Sequence, residues 1–369
     1  MTVGVAVLGS TGSIGCSTLQ VLARQRERFK VVALTAHTNG ALLASQVAAF
    51  KPAFSGLVNG AGAQCLVEAA THPDVTIVVN GIVGAAGLEA TLAALRAGKR
   101  VALANKETLV MAGELVTRAA REGGGEIVPV DSEHSAVLQC VTGRRPAELA
   151  RLILTASGGP FRTWEPARVA QATVTEALRH PTWKMGKKIT VDSATLVNKA
   201  LEVIEARFLF GIGYDQVDVV VHPQSVIHAF TEFVDGSVLA QVGFPTMELP
   251  ILYALTHPDR VPDDGARRFD PVAAGDLTFE PVRPELFPAY LLGRNAAHMG
   301  GTAPAAFNAA NEVAVELFLA ERVAFGRIAE IIAATLDRHR SSPGDAESLD
   351  AVLEADALAR RNAREAACS

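Results

Sequence analysis

An apolar strand followed at once by a glycine-rich turn constrains the fold of this chain more than any other feature. Val3–Leu8 is a continuous apolar run, and Gly9-Ser10-Thr11-Gly12-Ser13-Ile14-Gly15 follows it. Glycines in such a turn let the backbone approach a pyrophosphate at the N-terminus of the next helix. The spacing differs from the commoner Gly-x-Gly-x-x-Gly, and a tight structural turn is the alternative. The feature favours a dinucleotide-binding fold.

Predicted strands and helices alternate over the first 150 residues. Further strands are expected at residues 31–35, 76–79, 101–104 and 126–130. This alternation predicts an α/β fold with a doubly wound parallel sheet, whose ligands bind where the strands end. Asn105-Lys106-Glu107 follows the strand that ends at residue 104. Helix capping would explain Asn105 and Glu107 but leaves Lys106 unexplained.

The second predicted strand indicates which dinucleotide would bind. It ends in Ala36-His37-Thr38-Asn39, and neither Asp nor Glu occurs between Val31 and Val67. A site for NAD usually places an acid there to bind the ribose 2′-hydroxyl. The absence of such an acid favours the 2′-phosphate of NADP(H), although His37 and Thr38 are weaker phosphate partners than Arg.

Two carboxylates follow the strand at residues 126–130, in the run Asp131-Ser132-Glu133-His134. In an extended chain Asp131 and Glu133 point the same way, because side chains alternate along a strand. Carboxylates aimed together repel each other unless they share a proton or a cation. A solvated loop is the alternative interpretation.

Residues 192–208 are predicted to form one amphipathic helix with an unusual polar face. The helix is expected to begin near Ser193, where the positive end of its dipole would suit a phosphate. Asn198, Lys199 and Glu202 fall on one face, because residues three and four apart are neighbours on a helix. The alternative is a serine cap with a solvated Lys199–Glu202 pair.

Two loops nearby carry anion donors or a bulky aromatic. Ser157-Gly158-Gly159-Pro160 follows a predicted strand at residues 152–156 and forms either an anion nest or a plain turn. The basic segment of residues 180–188 contains His180 and Trp183, with Gly186 as a possible hinge. It is typical of a lid over a binding site, with a packed surface loop as the alternative.

The domain prediction divides the chain into four segments. These are an NADP(H)-binding Rossmann-like domain at residues 1–150, a central α+β catalytic domain at 151–262, a Pro/Asp/Gly-rich linker at 263–284 and a helical domain at 285–369. Helices of the last segment are expected at 285–299, 305–319, 323–339 and 347–366. Strands of the catalytic domain are expected at 217–221, 225–233 and 237–242, and the last two form a hairpin through Asp235-Gly236. Such an edge hairpin is a natural surface for a homodimer.

Composition excludes several classes of function. The net charge of −5 and the pI near 6.0 give no basic surface for nucleic acid, so an anionic substrate would need local basic sites. Residues 75–88 are the most apolar stretch, and Asn80 and several glycines interrupt it, so no membrane span is expected. Met1 leads almost directly into a strand, which leaves no room for a signal peptide. The four cysteines lack paired spacing, as in cytoplasmic proteins with reduced thiols.

Together the motifs indicate one kind of chemistry. Hard carboxylate ligands at Asp131, Glu133 and Glu202 suit Mg²⁺ or Mn²⁺ rather than zinc. Anion donors occur at several positions, namely Ser157, His180, Ser193, Asn198 and Lys199. The substrate that this set implies is a phosphorylated, sugar-like hydroxy ketone.

The sequence closely resembles the 1-deoxy-D-xylulose 5-phosphate reductoisomerase family. The resemblance runs in order over nearly the whole chain, through residues 9–15, 105–107, 130–134, 157–161, 191–195, 198–202, 222–225 and 306–312. It implies conversion of 1-deoxy-D-xylulose 5-phosphate and NADPH into 2-C-methyl-D-erythritol 4-phosphate, the committed step of the non-mevalonate isoprenoid route. The family is also the target of phosphonohydroxamates such as fosmidomycin.

The resemblance also implies roles for individual residues. Asp131, Glu133 and Glu202 would hold the divalent metal, which would chelate the ketone and the neighbouring hydroxyl as Lewis acid and template. The carbon skeleton would then rearrange by retro-aldol cleavage and rejoining before hydride transfer. The substrate phosphate and carbon chain would be contacted by Ser157, His180, Ser193, Asn198 and Lys199, and the sugar hydroxyls by Lys106 and Ser132. The cofactor contacts would be Thr11, Gly12, Ser13, Ile14, Asn39, Asn105, Glu107 and Gly186.

Two further positions complete the comparison with the family. Trp183 matches the lid aromatic that covers the substrate and excludes water. Some members carry Gly-Lys before the asparagine of the second strand end, where this chain has His37-Thr38.

Two other functions remain open from the residues alone. One is another Rossmann oxidoreductase of the homoserine-dehydrogenase kind, which would not need three carboxylates and would survive a chelator. The other is a non-catalytic NADP(H)-binding regulator, which would bind nucleotide without turnover.

Overall fold

Strands and helices alternate in the first part of the chain, and the last part is helical. The computed structural model describes residues 2–183, 185–341 and 344–368. The strands are β1 (Val3–Leu8), β2 (Phe29–Ala36), β3 (Phe54–Leu57), β4 (Ile77–Asn80), β5 (Arg100–Leu103), β6 (Glu126–Pro129), β7 (Leu149–Ala156), β8 (Val217–Val221), β9 (Ile227–Phe233), β10 (Val238–Val242) and β11 (Glu280–Pro281). Helices up to the second sheet are α1 (Ser13–Arg24), α2 (Gly40–Phe50), α3 (Val58–Ala61), α4 (Gln64–Thr71), α5 (Leu88–Arg96), α6 (Lys106–Gly123) and α7 (Ser132–Val141). Later helices are α8 (Pro166–Val169), α9 (Val174–Ala177), α10 (Lys187–Ala194), α11 (Val197–Phe210), α12 (Glu248–Thr256), α13 (Pro271–Ala274), α14 (Pro288–Met299), α15 (Ala303–Leu319), α16 (Arg327–Arg338) and α17 (Leu349–Cys368).

The chain divides into two compact units. The first comprises Met1–Thr108, Leu115–Leu138 and Thr246–Arg268, and the second comprises Leu109–Glu114, Gln139–Pro245 and Phe269–Ser369. The four-segment division remains a prediction. The segment 263–284, expected to be a linker, contains α13 and β11, and its first residues belong to the first unit.

The first unit is built on a six-stranded parallel sheet of order β3-β2-β1-β4-β5-β6. This arrangement confirms the predicted doubly wound α/β fold. Val5, Ala6, Val7 and Leu8 of β1 are fully buried, as expected of a central strand covered on both faces. Burial of each Val or Leu side chain contributes about 1.5–3 kcal/mol.

One strand of this sheet was absent from the sequence prediction. β3 has the sequence Phe-Ser-Gly-Leu, which is short and lacks the apolar run that marks the other strands. Gly56 within it packs closely on another element: a Cβ atom there would lie 2.8 Å from Cβ of Cys65. Tertiary packing therefore selects this strand, which local propensity does not.

The second unit contains a five-stranded mixed sheet of order β10-β9-β7-β8-β11. β7 pairs with β8 in parallel and with β9 antiparallel. The predicted hairpin between β9 and β10 is confirmed, and Gly236 in its turn has a φ of +82°. β10 forms one edge of the sheet.

The four helices predicted for the C-terminal part are present as α14 to α17, with boundaries shifted by a few residues. They share a hydrophobic core with α11, in which Phe161, Phe287 and Phe307 are fully buried. Gly293 permits the close approach of α14 to α11, because a Cβ atom there would lie 2.5 Å from Cβ of Ala200. Among the described helices, none combines the length and apolar character needed to cross a membrane.

Candidate active site

The predicted phosphate turn lies between β1 and α1 in the first unit. Gly9 has a φ of +77°, and a Cβ atom on Gly15 would lie 2.3 Å from the carbonyl oxygen of Gly9. Gly12 precedes α1 as its N-cap and supplies no side chain. The helix therefore presents its first N–H groups after β1, next to β4, where the strand order of the sheet reverses. Doubly wound sheets bind a pyrophosphate at this position. The predicted contacts Thr11, Gly12, Ser13 and Ile14 all lie on this turn.

A buried hydrogen-bond pair that sequence reasoning missed supports this turn. The Ser10 hydroxyl donates to Oε1 of Gln46 at 2.7 Å, and Nε2 of Gln46 donates to the Ser10 carbonyl at 2.8 Å. The available signal was Gln46, the one amide side chain in the largely apolar helix α2. Because both groups are satisfied within the protein, the turn is held in one conformation.

The end of β2 presents polar residues at the surface. Asn39 caps α2 by accepting a hydrogen bond from the N–H of Leu42 at 3.1 Å. His37, Thr38 and Asn39 are all exposed. This region can therefore take a cofactor phosphate, and the role of Asn39 in cofactor binding remains a prediction.

The run Asn105-Lys106-Glu107 lies where β5 ends and α6 begins. The capping interpretation is confirmed, because Oδ1 of Asn105 accepts from the N–H of Thr108 at 3.0 Å. The Asn105 amide also donates to the carbonyl of Ile82 at 2.5 Å and to that of Gly84 at 2.8 Å, which fixes the glycine-rich loop after β4. Glu107 is buried in the first turn of α6.

Lys106, which capping could not explain, pairs with a predicted metal ligand. Its ammonium lies 2.6 Å from Oδ2 of Asp131, and its side chain is only 6% exposed. A charge this well buried needs a partner. Lys106 and Asp131 are thus brought together in the first unit.

Asp131 and Glu133 lie at the start of α7 rather than on an extended strand. β6 ends at Pro129 and α7 begins at Ser132, so the alternation argument for these carboxylates was wrong. They are neighbours for a different reason: Oδ1 of Asp131 accepts from the N–H of Glu133 at 3.3 Å. Ser132 donates to Oε2 of Glu133 at 2.6 Å.

Three predicted anion donors meet in the second unit, around His180. Its Nε2 atom lies 3.0 Å from the Ser157 hydroxyl and 3.1 Å from the Ser193 hydroxyl. Gly159 has a φ of +63°, and its N–H donates to the Ser157 hydroxyl at 3.2 Å. The Ser157 hydroxyl thus holds the loop after β7 in its turn conformation, and the anion-binding role of this loop remains a prediction. We call Ser157, His180 and Ser193 the serine–histidine cluster.

The protonation of His180 follows from its other ring nitrogen. Nδ1 accepts hydrogen bonds from the N–H groups of Thr182 at 3.1 Å and Trp183 at 2.8 Å. The proton of the neutral ring is therefore on Nε2, which faces the two hydroxyls. Burial lowers the pKa of His180 to about 4. At neutral pH the ring is uncharged and can donate one hydrogen bond to an anion.

This arrangement predicts a pH effect on stability. The unfolded chain binds a proton at His180 near the ordinary pKa of 6.5, but the folded chain does so only near 4. The unfolded state therefore takes up more protons in that window, and the stabilising contribution of the neutral ring is lost as pH falls from about 6.5 to about 4. In His180→Gln we expect stability to fall less steeply between pH of about 6.5 and about 4. The measurement is the free energy of unfolding in urea, above this pH range and within it. Equal pH dependence in both proteins would contradict the assignment.

Ser193 does not lie at the start of a helix, and this part of the prediction was wrong. The structure has two helices here, and Ser193 is in the last turn of α10, whereas α11 begins at Val197. Leu196 between them has a φ of +59°. Its side chain is buried in the core, and this burial offsets a left-handed conformation that costs about 1–2 kcal/mol. Ser193 therefore presents its hydroxyl to His180 rather than a helix N-terminus, and its phosphate contact remains a prediction.

The polar face of α11 is confirmed, and it is buried rather than solvated. The Asn198 amide donates to Oε1 of Glu202 at 2.5 Å. The Lys199 ammonium lies 2.6 Å from Oε2 of Glu202. Lys199 is 3% exposed and Glu202 is fully buried. A buried carboxylate with an amide and an ammonium at helical spacing is typical of a functional site.

A buried acid next to Ser193 is held by partners that sequence reasoning did not identify. The Asp192 carboxylate accepts from the Asn311 amide at 2.8 Å and lies 2.8 Å from the Lys188 ammonium. Through this hydrogen bond Asn311 ties α15 to α10. The network fixes the last turn of α10, which carries Ser193.

Asp192→Asn removes the charge from this network. We expect the free energy of unfolding to fall by about 2–3 kcal/mol, because a buried hydrogen-bonded charge pair is lost. Asp350→Asn on the exposed face of α17 is the matched control and should change stability little. The measurement is chemical denaturation of the two variants beside the parent; indistinguishable variants would contradict a structural role for Asp192.

The predicted lid lies between His180 and α10. The centre of the Trp183 ring is 6.4 Å from that of His228. Gly186 is exposed and precedes α10 as its N-cap. Lys184 lies outside the described residues. The lid role of Trp183 and the cofactor role of Gly186 remain predictions.

The fold and turn of the first unit define a dinucleotide-binding α/β enzyme class. Comparisons with known proteins agree with this class and identify the family. Models of 1-deoxy-D-xylulose 5-phosphate reductoisomerase match residues 5–59 and 55–113, and models of its C-terminal domains match residues 127–210 and 242–362. The chain belongs to the 1-deoxy-D-xylulose 5-phosphate reductoisomerase family.

Individual relatives resemble the chain over its whole length. A protein of that name from Geobacter sp. (strain M21) is 50% identical over 379 residues, covering 98% of each chain. A crystal structure of DOX-P reductoisomerase in complex with NADPH, fosmidomycin and magnesium has 39% identity and a TM-score of 0.93, covering 99% of this chain and 98% of the other. The reductoisomerase from Zymomonas mobilis in complex with NADPH has 41% identity and a TM-score of 0.91, with both chains fully covered.

Proposed function

We propose that this protein converts 1-deoxy-D-xylulose 5-phosphate and NADPH into 2-C-methyl-D-erythritol 4-phosphate in the presence of a divalent metal ion. The single observation that carries this proposal is full-length similarity to reductoisomerases, including one solved with NADPH, fosmidomycin and magnesium. The enzyme is thus an oxidoreductase that also isomerises its substrate, at the committed step of the non-mevalonate isoprenoid route.

The first unit is suited to NADPH. A side chain at Gly15 would collide with the backbone, and Gly9 has a positive φ that disfavours one, so the turn leaves room for a phosphate against the start of α1. The surface at His37, Thr38 and Asn39 carries no acid that would repel a 2′-phosphate. Thr11 to Ile14, Asn105, Glu107 and Gly186 complete the proposed cofactor contacts.

The donor set is suited to Mg²⁺ or Mn²⁺. We propose that Asp131, Glu133 and Glu202 bind one ion, because their ligand atoms are all carboxylate oxygens. When bound, this ion would act as a Lewis acid toward the substrate ketone and hydroxyl. The paired ammonium groups of Lys106 and Lys199 offset the negative charge that these acids concentrate.

The chain's own residues would orient the substrate. The serine–histidine cluster, with Asn198 and Lys199, would bind the phosphate, which supplies binding energy far from the reacting carbons. The proton on Nε2 of His180 would be donated to a phosphate oxygen or to the substrate chain. Lys106 and Ser132 would contact the sugar hydroxyls, and Trp183 would exclude water from the reactive centre.

The direct test is NADPH consumption by the purified protein with 1-deoxy-D-xylulose 5-phosphate, with and without a chelator. We expect oxidation of NADPH that a chelator abolishes and Mg²⁺ or Mn²⁺ restores. NADPH binding without turnover would instead support the non-catalytic regulator.

We also propose that the enzyme is a homodimer formed through β10. This strand is at an edge of its sheet, and Val238 and Leu239 are 48% and 40% exposed on it. An apolar edge strand is commonly covered by another strand. Light scattering should give twice the mass of the 38.7 kDa chain, and Val238→Lys should halve it; a monomeric parent protein would refute the proposal.

For its location we propose the cytoplasm. The four cysteines all lie in the described part of the chain, and none of them forms a disulfide. This agrees with a reducing compartment. Fractionation of the source cells with an antibody would test the proposal.

A further inference from the structure

A basic pocket adjoins the serine–histidine cluster and has no role in the function described so far. It is a cavity of about 360 Å³ whose lining includes Ser157 together with three arginines, Arg162, Arg168 and Arg179. Glu176 is the acid on its wall. The four charged lining residues sum to +2, and Glu280, which pairs with Arg162, reduces the local excess to +1. This local excess contrasts with the net charge of −5 of the chain, which would repel an anionic substrate.

The acid on the wall is committed to the backbone. One carboxylate oxygen of Glu176 accepts from both the N–H and the hydroxyl of Thr173 at 2.9 Å, as the capping box of α9. These hydrogen bonds lower the pKa of Glu176. The Glu176 carboxylate is therefore held at the start of α9 and cannot move to form closer ion pairs with the arginines.

Two of the arginines are held by neighbours. Arg162 forms an ion pair with Glu280. The guanidinium of Arg168 stacks over the ring of Trp164 at 3.8 Å from its centre, and it lies 3.8 Å from Glu176. Stacking orients the planar donors of Arg168 while leaving its edge available.

Arg179 differs from the other two. Its side chain is exposed and makes no hydrogen bond or ion pair with any residue in the described ranges. It immediately precedes His180, whose Nε2 lies 3.0 Å from the hydroxyl of Ser157, a lining residue of the pocket. The charge of Arg179 contributes to the lowered pKa of Glu176, but no hydrogen bond from the described residues holds its guanidinium, which is therefore suited to bidentate contact with a phosphate.

We propose that the basic pocket is a docking site for a phosphate monoester, in which Arg179 contacts the phosphate of the incoming substrate before it reaches the serine–histidine cluster. This inference rests on the proposed function for the identity of the substrate. Inorganic phosphate has the same chemistry and binds in the pocket as well.

The first arm of the test uses inorganic phosphate alone and needs no turnover. Phosphate affinity is measured by calorimetry for the parent, for Arg179→Gln and for Arg361→Gln. Arg361 is an exposed residue on α17, and its substitution removes the same charge as a matched control. We expect Arg179→Gln to weaken binding about tenfold, the loss of one charge-assisted contact, and Arg361→Gln to leave it unchanged. Ser193 belongs to the cluster but does not line the pocket. We therefore expect Arg179→Gln to weaken phosphate binding by the same factor when Ser193→Ala is also present. Equal affinities for the two arginine variants would overturn the proposal.

The second arm follows turnover. In Arg179→Gln we expect kcat/KM to fall about tenfold at low salt, with kcat nearly unchanged and a weaker dependence on salt. An unchanged kcat/KM in this variant would overturn the proposed contact between Arg179 and the incoming substrate. A parent protein that fails to oxidise NADPH would refute the proposed function, and the phosphate arm would still decide whether the pocket binds the anion.

Discussion

Glu202→Gln is expected to reduce metal-dependent turnover by at least about 10³-fold, because it removes a charged ligand and the several kcal/mol of charge stabilisation that a bound ion supplies. NADPH binding should stay near the parent value, because the glycine turn and the cofactor contacts proposed for the first unit are untouched. Initial rates at saturating Mn²⁺ and nucleotide titration by fluorescence measure the two effects.

A matched control separates this effect from a general loss of stability. Glu316→Gln makes the same change on the exposed face of α15 and should leave turnover unaltered. Full activity of Glu202→Gln would contradict the metal assignment, and loss of NADPH binding in that variant would point to misfolding instead.

Ser193→Ala combined with Lys199→Ala is expected to raise the substrate KM by about 100-fold, because two hydrogen bonds to a charged phosphate disappear. Lys199 also pairs with Glu202, so the double variant should lose some kcat as well. Ser193→Ala alone leaves that pair intact and should raise KM about tenfold with kcat preserved. Steady-state kinetics with varied substrate gives both constants, and a KM equal to that of the parent would remove Ser193 and Lys199 from the phosphate site.

The sequence was sufficient to predict the parallel sheet and the helical C-terminal part. The reason is that β1 and the other central strands are continuous apolar runs, and the C-terminal helices show clear helical periodicity. The polar face of α11 was predicted for the same reason, since Asn198, Lys199 and Glu202 keep their helical spacing in the structure.

The errors arose where contacts distant in sequence override local pattern. Leu196 takes a left-handed conformation because its side chain is buried in the core, so the helix predicted from residue 192 is broken. Asp131 and Glu133 were assigned to an extended chain, yet α7 already begins at Ser132. One partner of Asp192, Asn311, and the partner of Ser10, Gln46, lie far along the chain, and no local spacing could have paired them.

The proposed reaction requires above all that Asp131, Glu133 and Glu202 bind the same ion. Crystals soaked in Mn²⁺ and measured for anomalous scattering test it directly. We expect one strong anomalous peak per chain, with an oxygen of each of the three carboxylates within about 2.2 Å of it. This is the distance expected for a small hard cation. A peak bound by the Asp131–Glu133 pair without Glu202, or by Glu202 without that pair, would contradict it.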